Sequence, residues 1–372
     1  MNILFVLENY VPHIGGAEIV FKTLAENLVR LGHNVDIITH RIKNTRKQEK
    51  INGVNIHRVN CFHSRYWFTF LSIPKVIKHA KKADIIHTIT YNGAFPAKIA
   101  SILTKKPCII TVLEILGKNW RRFGMSPLNA YLHSFLEKLI IKLNFDKYIS
   151  ISKSTQKQVL AQGIPPNKST VIYCWVDYNF WNPKNYKGKK IRKKFNLEKN
   201  FIYLFYGRPG ISKGLEYLIR AVPLITKRIP NSKLLAIVSR DKAYKKQYNM
   251  ILKLIKKLNI QEKIVLLSPV SYKNLPNYIK AADCVVVPSL SEGFGLTTAE
   301  ACAMGKPVVA SNTTSLPEVI SGKYILIKPK SPESIAQGVE MVYNNKTMKS
   351  KLKRFELKEN INNYLKIYGE LI

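Results

Sequence analysis

Residues 291–300 read SEGFGLTTAE and surround a glycine-rich turn with two acids, Glu292 and Glu300. The run VVVPSL before the turn is typical of a buried strand, and TTAEACAMG after it predicts a helix that ends at a glycine. Gly293 and Gly295 would let the backbone turn tightly and approach a ligand closely. The stretch therefore predicts a strand-to-helix turn at a binding site.

The residue types around this turn suit a ligand that carries phosphate between two polyols. The amides of Gly295, Leu296 and Thr297 would point out of a helix N-terminus, which carries partial positive charge and binds phosphate. Glu292 and Glu300 would lie on either side of that phosphate, and a carboxylate accepts hydrogen bonds from hydroxyl groups. A nucleotide sugar has this arrangement of groups.

A second stretch, YGRPGISKG at 206–214, follows another predicted strand and opens another predicted helix. Its cations, Arg208 and Lys213, are expected to clamp a diphosphate, to which the guanidinium of Arg208 can bind bidentately. Near the start, HIGGAEIV places Gly15 and Gly16 in a third turn that could approach phosphate. That turn lacks the GxGxxG pattern of a dinucleotide site.

Short apolar runs alternate with amphipathic ones along all 372 residues, which predicts an α/β protein. We expect two doubly wound, Rossmann-like domains with a ligand-binding cleft between them. The predicted domains are 1–176 joined by a closing helix at 355–372, and 201–354, with 177–200 as a linker. The predicted strands are 3–7, 35–39, 85–88, 108–112, 148–151, 170–173, 201–205, 234–238, 264–267, 284–287, 307–310 and 324–327.

The composition limits which binding partners and which cellular compartment are expected. The net charge of +37 is spread over both halves and would attract polyanions such as nucleic acid, anionic membrane or phosphorylated small molecules. A base-composition bias toward Lys, Ile and Asn codons would produce the same charge without a role in binding. Neither a membrane-spanning run nor a signal-peptide pattern is present, so we expect a cytoplasmic protein. The five cysteines form no CxxC pair, so neither a disulfide framework nor a zinc site is indicated.

Taken together, three motifs resemble one family. GGAE (15–18), GR…KG (207–214) and E-x7-E (292–300), in this order and spacing, resemble the GT-B glycosyltransferases of the GT4 family. The similarity extends to SLPEVI after the donor block and to NINNYLKIYGELI at the end of the chain. It implies a GT-B fold and retaining, metal-independent transfer of a hexose from a UDP- or GDP-sugar, with no further cofactor.

The resemblance also implies roles for individual residues. Arg208, Lys213 and Glu292 are expected to be catalytic, because pre-placed cations stabilise the charge that develops on the departing diphosphate. Glu300 would hold the ribose, Glu292 the donor sugar, and the departing phosphate would take the acceptor proton in a front-face displacement. The full set expected to bind the donor is Gly16, Arg208, Lys213, Glu292, Gly293, Phe294, Gly295, Leu296, Thr297 and Glu300.

Two stretches depart from the family pattern. TVLE has Leu113 where the family often has histidine, while Glu114 is retained. His87, at the end of a neighbouring predicted strand, could take the missing role, so His87 and Glu114 are candidates for the acceptor or sugar side. A satisfied histidine at a strand terminus is the alternative for His87. SRD at 239–241 stands where the family often has a glycine-rich turn.

Segments 62–82 and 117–125 mix aromatic and basic residues, which favours contact with an anionic membrane surface. The alternative is a packed aromatic cluster with a solvated basic helix behind it. With membrane contact, the protein would be peripheral on the inner face of the membrane and would use a glycan or lipid-linked acceptor. Two other functions remain open: a sugar-nucleotide epimerase of the same fold, and a non-enzymatic polyanion-binding protein. The sequence contains no recognised nucleic-acid module, so no specific nucleic-acid partner is expected.

Overall fold

The computed structural model describes residues 1–13, 15–62, 64–123 and 125–372. The chain divides into two compact units. The first contains Met1–Arg121, Met125–Trp175 and Phe355–Ile372, and the second contains Val176–Arg354.

Strands occur throughout both units. In chain order they are β1 Asn2–Val6, β2 Asn34–His40, β3 Gln48–Ile51, β4 Val54–Val59, β5 Ile85–Ile89, β6 Cys108–Val112, β7 Lys147–Ser150, β8 Ser169–Val171, β9 Phe201–Gly207, β10 Ser232–Val238, β11 Ile264–Leu267, β12 Cys284–Val287, β13 Val308–Ser311, β14 Gly322–Ile327 and β15 Met348–Ser350.

Helices connect most of these strands. They are α1 Gly16–Arg30, α2 Arg65–Leu71, α3 Ile73–Ala80, α4 Ala94–Thr104, α5 Pro127–Ile141, α6 Lys153–Leu160, α7 Lys189–Lys194, α8 Leu215–Arg228, α9 Lys245–Lys257, α10 Leu275–Ala281, α11 Leu296–Ala303, α12 Leu316–Val319, α13 Pro332–Tyr343 and α14 Leu357–Leu371.

The sheet of the first unit runs in the order β3-β4-β2-β1-β5-β6-β7-β8. Its neighbours pair in parallel except β3 and β4, which form an antiparallel hairpin. Both faces are covered, because Phe21 of α1 and Tyr368 of α14 pack in the core on one face, and Phe68 of α2, Ala97 of α4 and Ile141 of α5 pack on the other. A parallel sheet covered in this way is the predicted doubly wound arrangement.

The sheet of the second unit runs in the order β11-β10-β9-β12-β13-β14-β15 and is parallel except for the antiparallel edge strand β15. The strand order reverses between β9 and β12. Ligands of such sheets bind beyond the carboxyl ends of the strands at this switch point. The first unit has its own switch point between β1 and β5.

Residues 177–200, predicted to be a linker, lie within the second unit. They include α7, whose Arg192 donates to both carboxylate oxygens of Asp283 at 2.8 and 2.7 Å and to the carbonyl of Ala281 at 2.9 Å. Gly188, just before α7, lies so close to Ala281 that an added Cβ would stand 2.6 Å from its backbone. These basic, turn-rich residues therefore pack with the rest of the second unit.

Candidate active site

The centre of the candidate site is an ion pair between the loops that follow β9 and β12. Lys213 Nζ lies 2.7 and 2.8 Å from the two carboxylate oxygens of Glu292. The hydroxyl of Ser289 donates to Glu292 Oε1 at 2.7 Å. The cation predicted to bind phosphate and the acid predicted to bind sugar are thus neighbours at the switch point of the second sheet.

Close backbone packing holds these two loops together. The amide of Leu290 donates to the carbonyl of Ser212 at 2.7 Å. Gly214 has φ 65°, and a Cβ there would stand 1.9 Å from the carbonyl oxygen of Pro288. Position 214 therefore needs glycine for both its conformation and its space.

Helix α11 begins directly after the glycine-rich turn. Gly295 precedes it with φ 95°, and a Cβ at this position would stand 2.8 Å from the side chain of Leu316. The hydroxyl of Ser315 lies 2.9 Å from the carbonyl oxygens of both Glu292 and Phe294, and its one hydrogen can be donated to either, which fixes the turn. Since the first amides of a helix have no intrahelical acceptor, α11 offers donors and partial positive charge at its start, where Leu296 and Thr297 lie.

Glu300 lies one turn into α11 and is 8% exposed. Burial raises the pKa of its carboxyl group to about 8, against the smaller opposing effects of Tyr206 and Lys213. The hydroxyl of Tyr206 lies 3.1 Å from Glu300 Oε2 and 3.0 Å from the carbonyl of Thr297. A phenol has one hydrogen, so a proton on Glu300 lets both contacts be hydrogen bonds at once. Without a ligand, this carboxyl group is held mainly in its neutral form at pH 7.

Arg208, the second predicted cation, contacts Tyr244. It is exposed, its Nη1 donates to the hydroxyl of Tyr244 at 3.0 Å, and its guanidinium carbon lies 5.7 Å from the centre of the Tyr244 ring. The ring positions a long side chain that would otherwise be free to sample many rotamers. Arg208 follows the last residue of β9, at the same edge of the sheet as Lys213.

Gly16 begins α1 in the first unit, and Glu18 in the first turn accepts from His13 Nδ1 at 3.0 Å. Its predicted approach to the diphosphate stays a prediction. Gly293 and Phe294 lie in the turn before α11, with Phe294 only 3% exposed. A buried aromatic ring there leaves the backbone of the turn, more than its side chains, available to a ligand.

The structure corrects the predicted role of His87. This residue lies inside β5 with no exposed surface, and burial lowers its pKa to about 3. Its Nδ1 is bonded to the hydroxyl of Tyr368 at 2.7 Å, and its Nε2 to the hydroxyl of Thr111 at 2.8 Å. Because both nitrogens are used and no surface is accessible, His87 joins α14 to the sheet and does not face a substrate.

Glu114, the other candidate for the acceptor side, follows β6 at the carboxyl edge of the first sheet and is half-buried, as is Leu113. At the switch point of the same sheet, Glu8 is 6% exposed and accepts from the side-chain amide of Asn92 at 2.6 Å. Glu8 was not among the predicted site residues, although an acid in the loop after the first strand of a doubly wound domain was a usable signal.

The predicted site also lacked side chains that hydrogen-bond to the donor residues. They are Tyr206, Tyr244, Ser289, Thr314 and Ser315. Thr314 accepts from the amide of Glu292 at 3.0 Å and has φ 44°, a rare conformation for a β-branched residue. These residues come from separate loops and strands, so no local pattern connects them to the motifs.

Two family models match the chain. The model described as "Glycosyl transferases group 1" matches residues 187–364, and "Glycosyltransferase Family 4" matches residues 14–180. An uncharacterised glycosyltransferase of Methanocaldococcus jannaschii is 32% identical over 364 residues, which cover 93% of this chain and 90% of that protein.

The chain belongs to the GT4-type glycosyltransferases. The predicted family is thereby confirmed, and the protein is a glycosyltransferase. Another relative of this GT4-type enzyme is the UDP-Gal:alpha-D-GlcNAc-diphosphoundecaprenol alpha-1,3-galactosyltransferase of Escherichia coli. It is 28% identical over 273 residues, which cover 70% of this chain and 64% of that one.

Solved structures confirm the GT-B fold. The Anabaena protein HepE, solved in complex with UDP and glucose, aligns over 100% of both chains with a TM-score of 0.76 and 19% sequence identity. The sucrose-phosphate synthase of Thermosynechococcus elongatus aligns over 100% of this chain and 98% of that one, with the same TM-score and identity. At these identities the likeness supports the two-domain Rossmann-like fold alone.

Proposed function

We propose that this glycosyltransferase moves a hexose from a UDP- or GDP-sugar to a glycan or lipid-linked acceptor at a membrane surface, with retention of configuration and without a metal ion. The observation that supports this most strongly is the Lys213–Glu292 pair beside the start of α11 and the buried Glu300. Phosphate-binding and hydroxyl-binding groups alternate there over a short distance. The relative that acts on a UDP-sugar and a diphosphoundecaprenol-linked acceptor supports the donor and acceptor classes.

In the proposed reaction, the diphosphate takes over Lys213 from Glu292 and lies against the first amides of α11, while Arg208 swings from Tyr244 to the same phosphates. Glu292, released from the cation, accepts from donor-sugar hydroxyls, and Glu300 accepts from the ribose diol. The bond from the anomeric carbon to the phosphate oxygen breaks, and the bond to the acceptor oxygen forms on the same face. The departing phosphate takes the acceptor proton, and the cations stabilise its charge.

A panel assay tests the reaction. Untagged protein is mixed with UDP-, GDP- and ADP-sugars and membrane extract, with and without EDTA, and both released nucleotide and the anomeric configuration of the product are measured. We expect release from one UDP- or GDP-sugar, retention of configuration, no effect of EDTA and loss of turnover in Glu292→Gln. Glu333→Gln, which changes an exposed acid in the first turn of α13, is the matched control.

Other outcomes would reject parts of the proposal. An inverted product would reject retention, and loss of turnover in EDTA would reject metal independence. Conversion of the donor to its epimer without an acceptor would favour the epimerase alternative. No binding of any sugar nucleotide, together with sequence-selective binding of nucleic acid, would favour the non-enzymatic polyanion-binding alternative.

The membrane part of the proposal rests on an outward-facing apolar stripe on α5. Ala130, Glu137 and Ile141 are the residues of this helix that are buried. On its other side, large apolar side chains repeat at helical spacing and are 44–76% exposed: Leu128, Tyr131, Leu132, Phe135, Leu136 and Leu139. A solvent-exposed stripe of this length in a monomer indicates an interaction surface.

Two other helices of the same unit also expose large apolar side chains. Tyr66, Trp67 and Phe70 of α2 are more than half exposed, as are Ile102 and Leu103 at the end of α4. The three aromatic residues of α2 belong to the aromatic and basic segment 62–82. His63 in that segment and Gly124 in the segment 117–125 lie outside the described residues.

The exposed cations Lys138 and Lys142 lie near the end of α5, in a chain with a net charge of +37. Apolar side chains beside cations suit the interface of an anionic bilayer. No helix of the described residues is both long and apolar enough to cross a membrane.

Vesicle sedimentation tests this surface. We expect the protein to bind anionic vesicles and to bind zwitterionic ones weakly. The double variant Leu132→Glu/Leu136→Glu should lower binding by at least about a hundredfold, since two leucines, at about 1.5–3 kcal/mol each, together contribute about 3 kcal/mol or more. Leu252→Glu on α9, at a side chain that is 41% exposed, is the control. Equal vesicle binding by the double variant, or self-association through this face without vesicle binding, would reject membrane docking.

A further inference from the structure

Two histidines and an aspartate from separate elements of the first unit meet in one half-buried cluster. Asp36 lies on β2, His57 on β4 and His79 in the last turn of α3. His57 Nε2 lies 2.8 Å from Asp36 Oδ1, and His79 Nδ1 lies 3.9 Å from Asp36 Oδ2. One potential ligand atom from each residue lies within 4.8 Å of the others.

The sheet explains why the cluster forms. β2 and β4 are parallel neighbours in which Ile38 is paired with His57 and Asp36 with Asn55. Because side chains alternate along a strand, Asp36 and His57 lie on the same face, two positions apart in register. α3 packs on β2, and its His79 ring lies 4.1 Å from the ring of His57, measured between centroids, at an angle of 48°.

We propose that Asp36, His57 and His79 form a zinc site that fixes α3 to the sheet of the first unit. Zinc takes imidazole nitrogen and carboxylate oxygen at about 2.0–2.2 Å, so the ligand atoms of a tetrahedral site stand about 3.3 Å apart. The observed separations are 2.8 Å from His57 Nε2 to Asp36 Oδ1 and 3.9 Å from His79 Nδ1 to Asp36 Oδ2, so small side-chain movements would bring one atom of each residue to this spacing. The metal would replace the hydrogen that His57 Nε2 shares with Asp36, and a water molecule would complete the four ligands.

The ligand types select among metals. Two imidazoles disfavour Mg²⁺ and Ca²⁺, which prefer oxygen ligands, and suit Zn²⁺ and its spectroscopic substitute Co²⁺. Lys75, one helical turn before His79 on α3, donates its ammonium to the carbonyl of Arg58 at 3.3 Å. That contact gives its positive charge a partner outside the three proposed ligands.

The site is distinct from the candidate active site. Asp36 lies near the amino end of β2, and His79 near the carboxyl end of α3, which returns the chain to the amino edge of the first sheet. The donor residues lie at the carboxyl edge of the second sheet. We therefore assign the metal a stabilising role without a part in transfer.

Metal titration of untagged protein, stripped with EDTA and dialysed, tests the site. Zn²⁺ uptake is followed by competition with a chromophoric chelator, Co²⁺ by the visible bands of tetrahedral coordination, and stability by thermal unfolding. We expect one Zn²⁺ per chain, a rise in Tm and tetrahedral Co²⁺ bands. Mg²⁺ should leave Tm unchanged.

His79→Gln and His57→Gln should weaken Zn²⁺ binding by more than about tenfold, since losing even an outer partner of a metal-bound histidine costs about 10–100-fold. His33→Gln is the matched control, because it removes a histidine of the same unit that lies outside the cluster, with its Nδ1 3.3 Å from the N-terminal amine. Equal Zn²⁺ binding by His79→Gln and wild type, or no uptake by wild type, would overturn the proposal. Nucleotide release assayed in EDTA below the Tm of the stripped protein should equal that of the loaded protein.

Discussion

The neutral carboxyl group of Glu300 predicts a proton release when the donor binds. In the ligand-free protein, burial raises its pKa to about 8, and Tyr206 and Thr297 provide the contacts that suit the protonated form. A ribose diol would donate two hydrogen bonds to this carboxyl group, which favours the ionised form. Donor binding should therefore expel the proton.

The expected amount follows from the pKa. With a pKa of about 8, the carboxyl group is ~0.9 protonated at pH 7 and ~0.1 protonated at pH 9. If bound ribose returns the pKa to its ordinary range, donor binding releases ~0.9 proton at pH 7 and ~0.1 at pH 9. The unfolded chain loses this proton near pH 4.5, so the free energy of unfolding should also fall as pH rises from about 4.5 to about 8.

Calorimetry of donor binding in two buffers of different ionisation enthalpy measures the release. The ligand should be the intact sugar nucleotide, whose diphosphate diester has no proton to lose near neutrality. Glu300→Gln should bind more weakly, release close to no proton at pH 7 and lose the pH dependence of stability between about 4.5 and 8. Glu333→Gln should behave as wild type. Proton release by Glu300→Gln equal to wild type would show that Glu300 is not the group that loses the proton.

Three further predictions concern single positions. Lys213→Met should lower kcat by about two to three orders of magnitude, because the leaving diphosphate loses its cation; a turnover number within threefold of wild type would reject this role. Gly214→Ala should lower the free energy of unfolding by about 2 kcal/mol or more in urea titrations, because a Cβ would meet the Pro288 carbonyl at 1.9 Å with φ 65°. Unchanged stability of Gly214→Ala would contradict this prediction and show that the loops after β9 and β12 move apart to accommodate the added Cβ. His87→Leu should lower the free energy of unfolding by about 2 kcal/mol or more, since the buried hydroxyls of Tyr368 and Thr111 both lose their hydrogen bond to the imidazole, while donor affinity stays unchanged. If His87→Leu were as stable as wild type and bound the donor normally but had lost turnover, His87 would have a role on the acceptor side.

Much of the fold and the donor motifs could be predicted because their signals are local. Alternating apolar runs and glycine stops locate strands and helices within a residue or two, as for the predicted strand 3–7 and the observed β1 Asn2–Val6. The β3–β4 hairpin was missed although its turn, Asn52–Gly53 with φ 50° and 84°, is a strong sequence signal. Each of these signals can be recognised from a few consecutive residues.

Other features depend on contacts that sequence spacing does not show. Helical periodicity at 128–139 predicts an apolar stripe, but only packing shows that the stripe faces outward while Glu137 is buried. Glu137 accepts from the amides of Leu116 and Gly117 at 3.0 and 2.6 Å, which explains its inward position. His87 was a candidate for the acceptor or sugar side, with a satisfied histidine as the alternative, because a strand end could not be distinguished from a strand interior. The cluster of Asp36, His57 and His79 depends on strand register, which one sequence leaves open.

The most direct test of the account is a crystal structure of the protein with the nucleoside diphosphate of its donor. The account predicts that Lys213 and Arg208 bind the diphosphate, that the first amides of α11 donate to it, and that the ribose diol lies on Glu300. Arg208 should have left Tyr244, and Lys213 should no longer be paired with Glu292. A nucleotide bound away from the β9–β12 edge, with the Lys213–Glu292 pair intact, would contradict the account.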